Sequence, residues 1–385
     1  MREGWEYKKL GEVAAFYRGL TYTGKDEVDF SNNVVLRSNN VDLVRNTLNL
    51  NELKYISDEI TIPKDKMVKK DSILMCMSNG SKQHIGKVAY INKDYNCAFG
   101  GFMGLIIPNE NYIIPKLLYY YCCSCTFKQF VLSIVNGANI NNLRFSDLSN
   151  KTVPIPFFSI QSVILSELDI ITEMISKYDE QLKELDKLSQ SIFYEMFGDP
   201  VENEKGWEVK IISDVSTYFN GVAHEQDIDD DGEYTLINSK FISTNGKVQK
   251  RTNKQRFPLL KNDLTMVLSD VPHGKALAKC YLVNEDNKYS LNQRICCFRG
   301  YEGAPLFFKY VVNRHQYFLS FNDGKGQTNL RKGDVEKMPI ILPPLPLQQS
   351  FARKIEAIEA MKSKVREAKK EAETLLAARM QYWFE

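Results

Sequence analysis

Asn142-Leu143-Arg144-Phe145-Ser146-Asp147 returns in outline as Asn329-Leu330-Arg331-Lys332-Gly333-Asp334, 187 residues later. The offset holds downstream, where Pro156 and Ile160-Gln161 match Pro343 and Leu347-Gln348. Upstream, Met77-Ser78 faces Leu268-Ser269 and Lys87 faces Lys279. Earlier still, Gly4-Trp5-Glu6 recurs as Gly206-Trp207-Glu208, and Val13 and Gly19 recur as Val215 and Gly221, all at an offset of 202. Chance supplies one tripeptide, not a set of anchors kept in order through both halves. A period of about 190 residues is far above that of solenoids or propellers, so the chain is a two-part module written twice.

Each copy begins with short β-type runs separated by turns, over 1–155 and 200–342, and closes on a proline-containing stretch and a long helix, over 156–199 and 343–385. Ile73–Met77 and Leu264–Leu268 read as buried strands, with Gly86–Ile91 and Ala278–Val283 as their neighbours. Pro115–Val135 and Pro305–Leu319 read as helices opened by proline. The expected fold class is α+β: two related mixed α/β domains and two long antiparallel helices forming a coiled-coil spacer with pseudo-two-fold symmetry.

The first helix carries the clearest pattern. From Ile164, apolar residues fall at Leu168, Ile171, Ile175, Tyr178, Leu182, Leu185, Ile192 and Met196, a heptad seam broken only at Ser189. The second seam, Phe351, Ile355, Ile358, Val365, Ala372, Leu376 and Trp383, is interrupted by Lys362, Lys369 and Arg379. Residues 160–197 hold three basic and eight acidic side chains, whereas 347–385 hold eight and six. Opposite signs favour pairing the two helices with each other. Antiparallel pairing brings Trp383-Phe384 near Trp5, as Phe197 comes near Trp207.

Composition excludes several classes. The net charge of +2 argues against a uniformly basic nucleic-acid binder, so any such contact must be local. No run is long and apolar enough to span a membrane. Residues 1–6 carry acids and no apolar core, unlike a signal peptide, so the expectation is a cytoplasmic chain with its eight cysteines reduced. Cys122-Cys123-Ser124-Cys125 has no second ligand pair for zinc and reads as core thiols. Asp227, Asp229, Asp230 and Asp231 lack the spacing of a calcium loop and read as a solvated acidic run turned away from any phosphate backbone. There is no Walker phosphate loop, no Asn-Pro-Pro-aromatic segment, and only an isolated Glu-x-Lys at Glu52 and at Glu208. The expectation is a chain with no metal, no cofactor and no catalysis of its own.

Two cousin modules joined by rods suit a partner bearing two marks a set distance apart, and double-stranded DNA fits. Because the modules differ in sequence, the two marks should differ, giving an asymmetric bipartite target instead of a palindrome. On the Gly-Trp-Glu openings, the Asn-Leu-Arg-x-x-Asp segments at 142–147 and 329–334, the proline stretches followed by Gln161 and Gln348, and the long helix after each, the chain resembles the specificity subunit of type I restriction–modification systems. The resemblance implies two target recognition domains, each reading half of a split site. It implies helices that space the domains and dock two methyltransferase (modification) subunits, with restriction endonuclease/translocase subunits joining them. Methyl transfer and cleavage would belong to those partners. The rivals are a stand-alone nuclease and a coiled-coil adaptor that binds only protein.

Candidate DNA contacts sit in polar loops at strand ends, because base edges are read by Arg, Lys, Asn and Gln on insertable elements. In the first module these are Arg18, Arg37, Asn39, Asn40, Lys82, His84, Asn139 and Asn141. In the second they are Asn220, Asn238, Lys240, His273, Lys275, Arg294, Lys325 and Gln327. Asn142 and Asn329, repeated with their Leu-Arg, shape the chain instead. Asn-Gly and Asp-Gly pairs are turn formers whatever the function.

Overall fold

The computed structural model describes residues 5–137, 142–271 and 274–385. Gly4, Asn139, Asn141 and His273 lie outside the described residues. The chain divides into two compact units: the residues up to Asp179 together with Glu367–Glu385, and Glu180–Arg366.

In unit 1 the elements run β1 (Trp5–Lys9), α1 (Leu10–Val13), β2 (Ala14–Arg18), β3 (Glu27–Val28), β4 (Asn33–Leu36), β5 (Lys54–Ile56), β6 (Ser72–Cys76), β7 (Val88–Ile91), β8 (Cys97–Phe99), β9 (Met103–Pro108), α2 (Pro115–Cys123), α3 (Cys125–Gly137), α4 (Phe145–Ser149), β10 (Thr152–Pro156) and α5 (Phe158–Phe197). Two four-stranded sheets form, β2-β9-β6-β7 and β3-β5-β4-β8, while β1 pairs with β10. Every residue of β6 is buried. Ile73 and Met75 face the core beneath α2 and α3, and Leu74 and Cys76 face the core shared with β4 and β8. A strand covered on both faces has no polar side, which is why this one reads as an unbroken apolar run.

Unit 2 repeats this plan. Its elements are β11 (Glu208–Ile211), α6 (Ile212–Val215), β12 (Thr217–Asn220), β13 (Tyr234–Ile237), α7 (Ser239–Ser243), β14 (Lys250–Thr252), β15 (Leu264–Val267), β16 (Ser269–Asp270), β17 (Cys280–Leu282), β18 (Tyr289–Leu291), β19 (Ile295–Arg299), α8 (Pro305–Val312), α9 (Gln316–Leu319), β20 (Thr328–Asn329), α10 (Lys332–Glu336), β21 (Pro339–Leu342) and α11 (Leu345–Phe384). The sheet β12-β19-β15-β17 matches β2-β9-β6-β7, and β14-β13-β18 matches β5-β4-β8. In both units the second sheet holds one parallel pair, β4 with β8 and β13 with β18. The duplication seen in the sequence is therefore a duplication of strand order and strand direction.

Four expectations need correction. The helix read over Pro115–Val135 is two helices, because Ser124 leaves helical geometry and its Oγ accepts from the Phe127 N–H (3.2 Å), capping α3. The Pro305–Leu319 helix breaks at the matching place, where His315 Nδ1 accepts from the Tyr317 N–H (3.2 Å) and caps α9. Cys122 is buried, but Cys125 is exposed and not a core thiol. Nor is the acidic run wholly solvated: Asp227 is buried against Arg256, which holds its carboxyl below the usual range, and Lys254 lies 3.5 Å away.

The long helices lock into each unit by apolar seams and ion pairs. In unit 1, Ile164, Leu168 and Ile171 of α5 are buried, and Phe384 enters the same core as α2 and α3. Leu376, Met380, Trp383 and Trp5 pack against that core. Lys369 Nζ donates to Asp179 Oδ1 (2.7 Å). Arg379 grips Glu167 with Nε and with Nη2 (3.0 Å), and the Trp383 indole N–H donates to the same carboxylate (2.9 Å). Later residues of α11 thus meet earlier residues of α5, so the two run antiparallel.

In unit 2, Phe193 and Phe197 of α5 meet Phe351 of α11 edge-on, with ring centroids 5.7 and 5.3 Å apart. Lys362 is buried with its ammonium on Asp186 (2.7 Å) and Glu359 (2.8 Å). Phe197 O accepts from the Trp207 indole N–H (2.9 Å). The three cations that interrupt the second seam are therefore the ones that bind the acids of the first.

One repeated glutamine joins each long helix to its unit. Gln161 is buried; its Oε1 accepts from the Ile114 N–H (2.7 Å), and its Nε2 donates to Tyr112 O and Pro156 O (both 2.8 Å). Gln348 is also buried; its Oε1 accepts from the Ala304 N–H (3.1 Å) and the Tyr301 hydroxyl (3.0 Å), while Nε2 donates to Pro343 O (2.8 Å). Ile114 and Ala304 are the N-cap residues of α2 and α8, so the same amide ties the same helix start in both units.

Candidate nucleic-acid interface

In unit 1 the end of β2, the end of β6 and the start of β9 share one edge of their sheet, with Arg18 opposite Gly104 and Cys76 opposite Met103. Polar loops gather there. Gly19 N–H donates to Met103 O (3.2 Å), and Leu20 N–H to Phe99 O (2.7 Å). Asn79 Nδ2 donates to Ser38 Oγ (2.9 Å), tying the loop after β6 to the turn after β4. Asn142 bridges Ser78, and Leu143 N–H donates to Met77 O (2.8 Å). Lys87 anchors the cluster from inside: its buried ammonium donates to Val41 O (2.8 Å), and burial pulls its pKa down.

Unit 2 builds the same edge. Gly221 N–H donates to Ile295 O (3.0 Å), Val222 N–H to Leu291 O (3.0 Å), and Leu330 N–H to Leu268 O (2.8 Å). Asn329 pairs with Ser269 across β20 and β16. Asp270 organises the following loop by accepting from the Val271, Ala276 and Leu277 N–H groups (2.9, 2.6 and 3.1 Å). Beside it a cleft of about 550 Å³ is lined by Lys325, Gln327, Asn329 and Arg331, among others. Gly19 and Gly221 are needed in these crossings, since a Cβ would stand 2.0 Å from Gly100 O or Asn292 O.

Most of the described candidates are exposed at these edges: Arg18, Asn39 and Lys82 in unit 1, and Asn220, Lys240, Lys275, Arg294, Lys325 and Gln327 in unit 2. Asn220 Oδ1 accepts from the Tyr218 hydroxyl (2.6 Å). Asn40 is a correction. It is 1% exposed, and its amide is consumed by the Arg37 N–H (2.8 Å), Asn49 O (3.0 Å) and Glu52 O (2.8 Å), so it shapes the loop and has nothing left for DNA. Asn238 is half-buried, and its Oδ1 caps α7 by accepting from the Phe241 N–H (2.9 Å). Arg37 and His84 are half-buried, with Arg37 Nε and His84 Nδ1 bonded to no described residue.

Sequence reading missed three exposed residues at these edges: Arg144, Arg331 and Phe102. The arginines sit inside the repeated Asn-Leu-Arg segments, in which Leu143 and Leu330 are buried, so the repeat itself could have flagged them. Phe102 lies between two strands in an apolar stretch, where nothing separates a core ring from a surface one.

Comparison with known proteins agrees with this architecture. The family model described as type I restriction modification DNA specificity domain matches residues 2–186 and again 204–373. The chain is 21% identical to the type I restriction enzyme StySPI specificity subunit of Salmonella potsdam, over 93% of this chain and 82% of that one. It is 24% identical to the putative type I restriction enzyme MjaX specificity subunit of Methanocaldococcus jannaschii, over 97% and 93%. Its fold is similar to a chain solved in a study of the assembly and conformational transition of the type I R-M system, with a TM-score of 0.57 at 14% identity over 99% of this chain and 97% of that one. It is also similar to the type I restriction–modification S subunit from M. genitalium, with a TM-score of 0.53 at 11% identity over 99% and 96%. With the specificity domain matched twice along most of its length, the chain belongs to the family of type I restriction–modification DNA specificity subunits.

Proposed function

We propose that each unit applies its loop-bearing sheet edge to duplex DNA and reads one half of an asymmetric bipartite site. One observation carries this: the same strand order delivers loops to the same edge twice, but with different side chains. Arg18, Asn39 and Lys82 then act in the first half, and Asn220, Lys240, Lys275, Lys325 and Gln327 in the second. Lysines and arginines hold phosphates and set register, while amides and guanidinium groups meet base edges.

Helices α5 and α11 set the distance between half-sites and dock methyltransferase subunits, with restriction subunits joining that core. The domain divisions 1–155, 156–199, 200–342 and 343–385 are the working boundaries of this reading. The chain performs recognition, in the cytoplasm, and its partners perform the chemistry. Those partners extract the target base from the stack, at a cost of a few kcal/mol.

The test is to co-express the chain with the methyltransferase encoded beside it and to map modified bases in the host genome. A split motif with unlike halves is expected. A palindrome, or no motif, would reject the reading. DNA cleavage by the purified chain with Mg²⁺ and no partner would favour the nuclease. A stoichiometric protein complex without DNA preference would favour the adaptor.

A further inference from the structure

The turn that joins the two sheets is built identically in both units. In unit 1 it is Gly100-Gly101-Phe102-Met103, between β8 and β9; in unit 2 it is Asn292-Gln293-Arg294-Ile295, between β18 and β19. Five backbone hydrogen bonds correspond one to one. Gly100 N–H to Leu36 O (2.9 Å) matches Asn292 N–H to Ile237 O (3.1 Å). Met103 N–H to Gly100 O (2.8 Å) matches Ile295 N–H to Asn292 O (3.0 Å) and closes the turn. Met77 N–H to Phe102 O (2.9 Å) matches Leu268 N–H to Arg294 O (3.1 Å). The Gly19 and Leu20 contacts match those of Gly221 and Val222. The turn is thus held from two sides, and the third residue is fixed within it by its carbonyl.

At that position the units differ completely. Phe102 is 72% exposed and stacks on no other ring among the described residues. Arg294 is exposed, and no described residue bonds its guanidinium, whereas its neighbour Gln293 is tethered to Glu225 Oε1 (2.9 Å). An aromatic ring held in water on a rigid turn gains nothing for the fold. A free arginine on the matching turn gains nothing either. Both make sense as side chains offered to one partner.

We propose that this turn is the base-reading tip of each unit and that its third residue helps make the two half-sites differ. Phe102 makes apolar contact with a thymine methyl in the major groove. Arg294 donates a pair of hydrogen bonds to the O6 and N7 of a guanine. Those are the contacts that an apolar ring and a planar guanidinium make with base edges. Backbone clamping supplies the rigidity that such readout needs, since a mobile tip would lose the contact to entropy. The proposal rests on the bipartite reading above and names which residue distinguishes its halves.

The experiment maps modified bases in hosts carrying the whole system with the wild-type chain, Phe102→Ala or Arg294→Ala. The expected result is that each variant relaxes one base position, in opposite halves, and leaves the other half intact. For Arg294→Ala, discrimination at a guanine position should fall about tenfold to a hundredfold. Unchanged motifs in both variants, or both changes in one half, overturn the proposal while leaving the bipartite reading in place. A wild-type genome without a split motif removes that reading instead. Should Phe102→Ala abolish modification, Phe102→Leu decides. Recovery with the same motif supports an apolar contact, and continued loss overturns it. Loss of methyltransferase co-purification in either variant also overturns it, since the turn would then face protein.

Discussion

Gln161 and Gln348 each satisfy three groups, all three backbone for Gln161 and two of the three backbone for Gln348. Truncating either to alanine strands a helix-start N–H together with carbonyl or hydroxyl groups in a buried place. Gln161→Ala and Gln348→Ala should each lower stability by roughly 1–3 kcal/mol, read as a shift in the urea midpoint with m unchanged. His315 gives a pH-dependent counterpart. Burial holds its imidazole below the ordinary 6.5. Between that lowered value and 6.5 the unfolded chain binds more protons than the folded one, so stability falls as pH drops through the window. His315→Asn keeps an acceptor for the Tyr317 N–H and removes the titration. Its midpoint should therefore change less than that of the wild type between about pH 7.5 and about pH 5.5, followed by thermal melts. At this scale the sequence was only partly legible. The repeated Gln, Gly and Asn-Leu-Arg positions stood out because duplication marks them twice. Asn40 and Phe102 were misread or missed because burial in a loop and exposure on a turn leave no periodic trace.

The long helices were the most legible elements, since a seam of threes and fours over ten positions has no competing explanation. The strands were legible where an apolar run marks them, as in β6 and β15 and in their neighbours β7 and β17. The breaks at Ser124 and at His315 were not, because apolar periodicity runs straight through them while a side-chain cap ends the helix. The weak second seam became intelligible only through its partner, as each interrupting cation faces an acid of α5. In unit 1 the Glu167–Arg379 pair is open to a double-mutant cycle. Glu167→Ala with Arg379→Ala should cost less than the two singles together. Hydrogen bonding by Arg379, with smaller help from the Trp383 indole, holds the Glu167 carboxyl below its ordinary 4.5. The coupling is therefore complete above 4.5 and disappears as acid titrates the folded carboxylate. A coupling that persists in strong acid would mean that the contact is apolar packing by the arginine stem.

Across the whole molecule, duplication fixes what can vary. Sheet order, glycine crossings and glutamine ties are common to both units, while the loops at the matching edges carry different side chains. If α5 and α11 set half-site spacing, adding one heptad to each, at residues 179/180 and 366/367, preserves the seam phase. Seven residues add about 10.5 Å of helix, or about three base pairs, to the spacing, with the half-site sequences unchanged. Mapping modified bases reads this directly, and an unchanged spacing would sink the role given to the helices. The two-unit division carries one more consequence, in time. The core of unit 1 takes in Phe384, and its helix pairs take in Lys369 and Arg379. Those residues leave the ribosome only after all of unit 2, which comprises Glu180–Arg366. At the usual rate of synthesis, unit 1 waits about ten to forty seconds with a greasy slot uncovered, while the later-made unit closes first. A released chain ending at Arg366 should thus carry a protease-resistant second unit behind an unfinished, chaperone-bound first one.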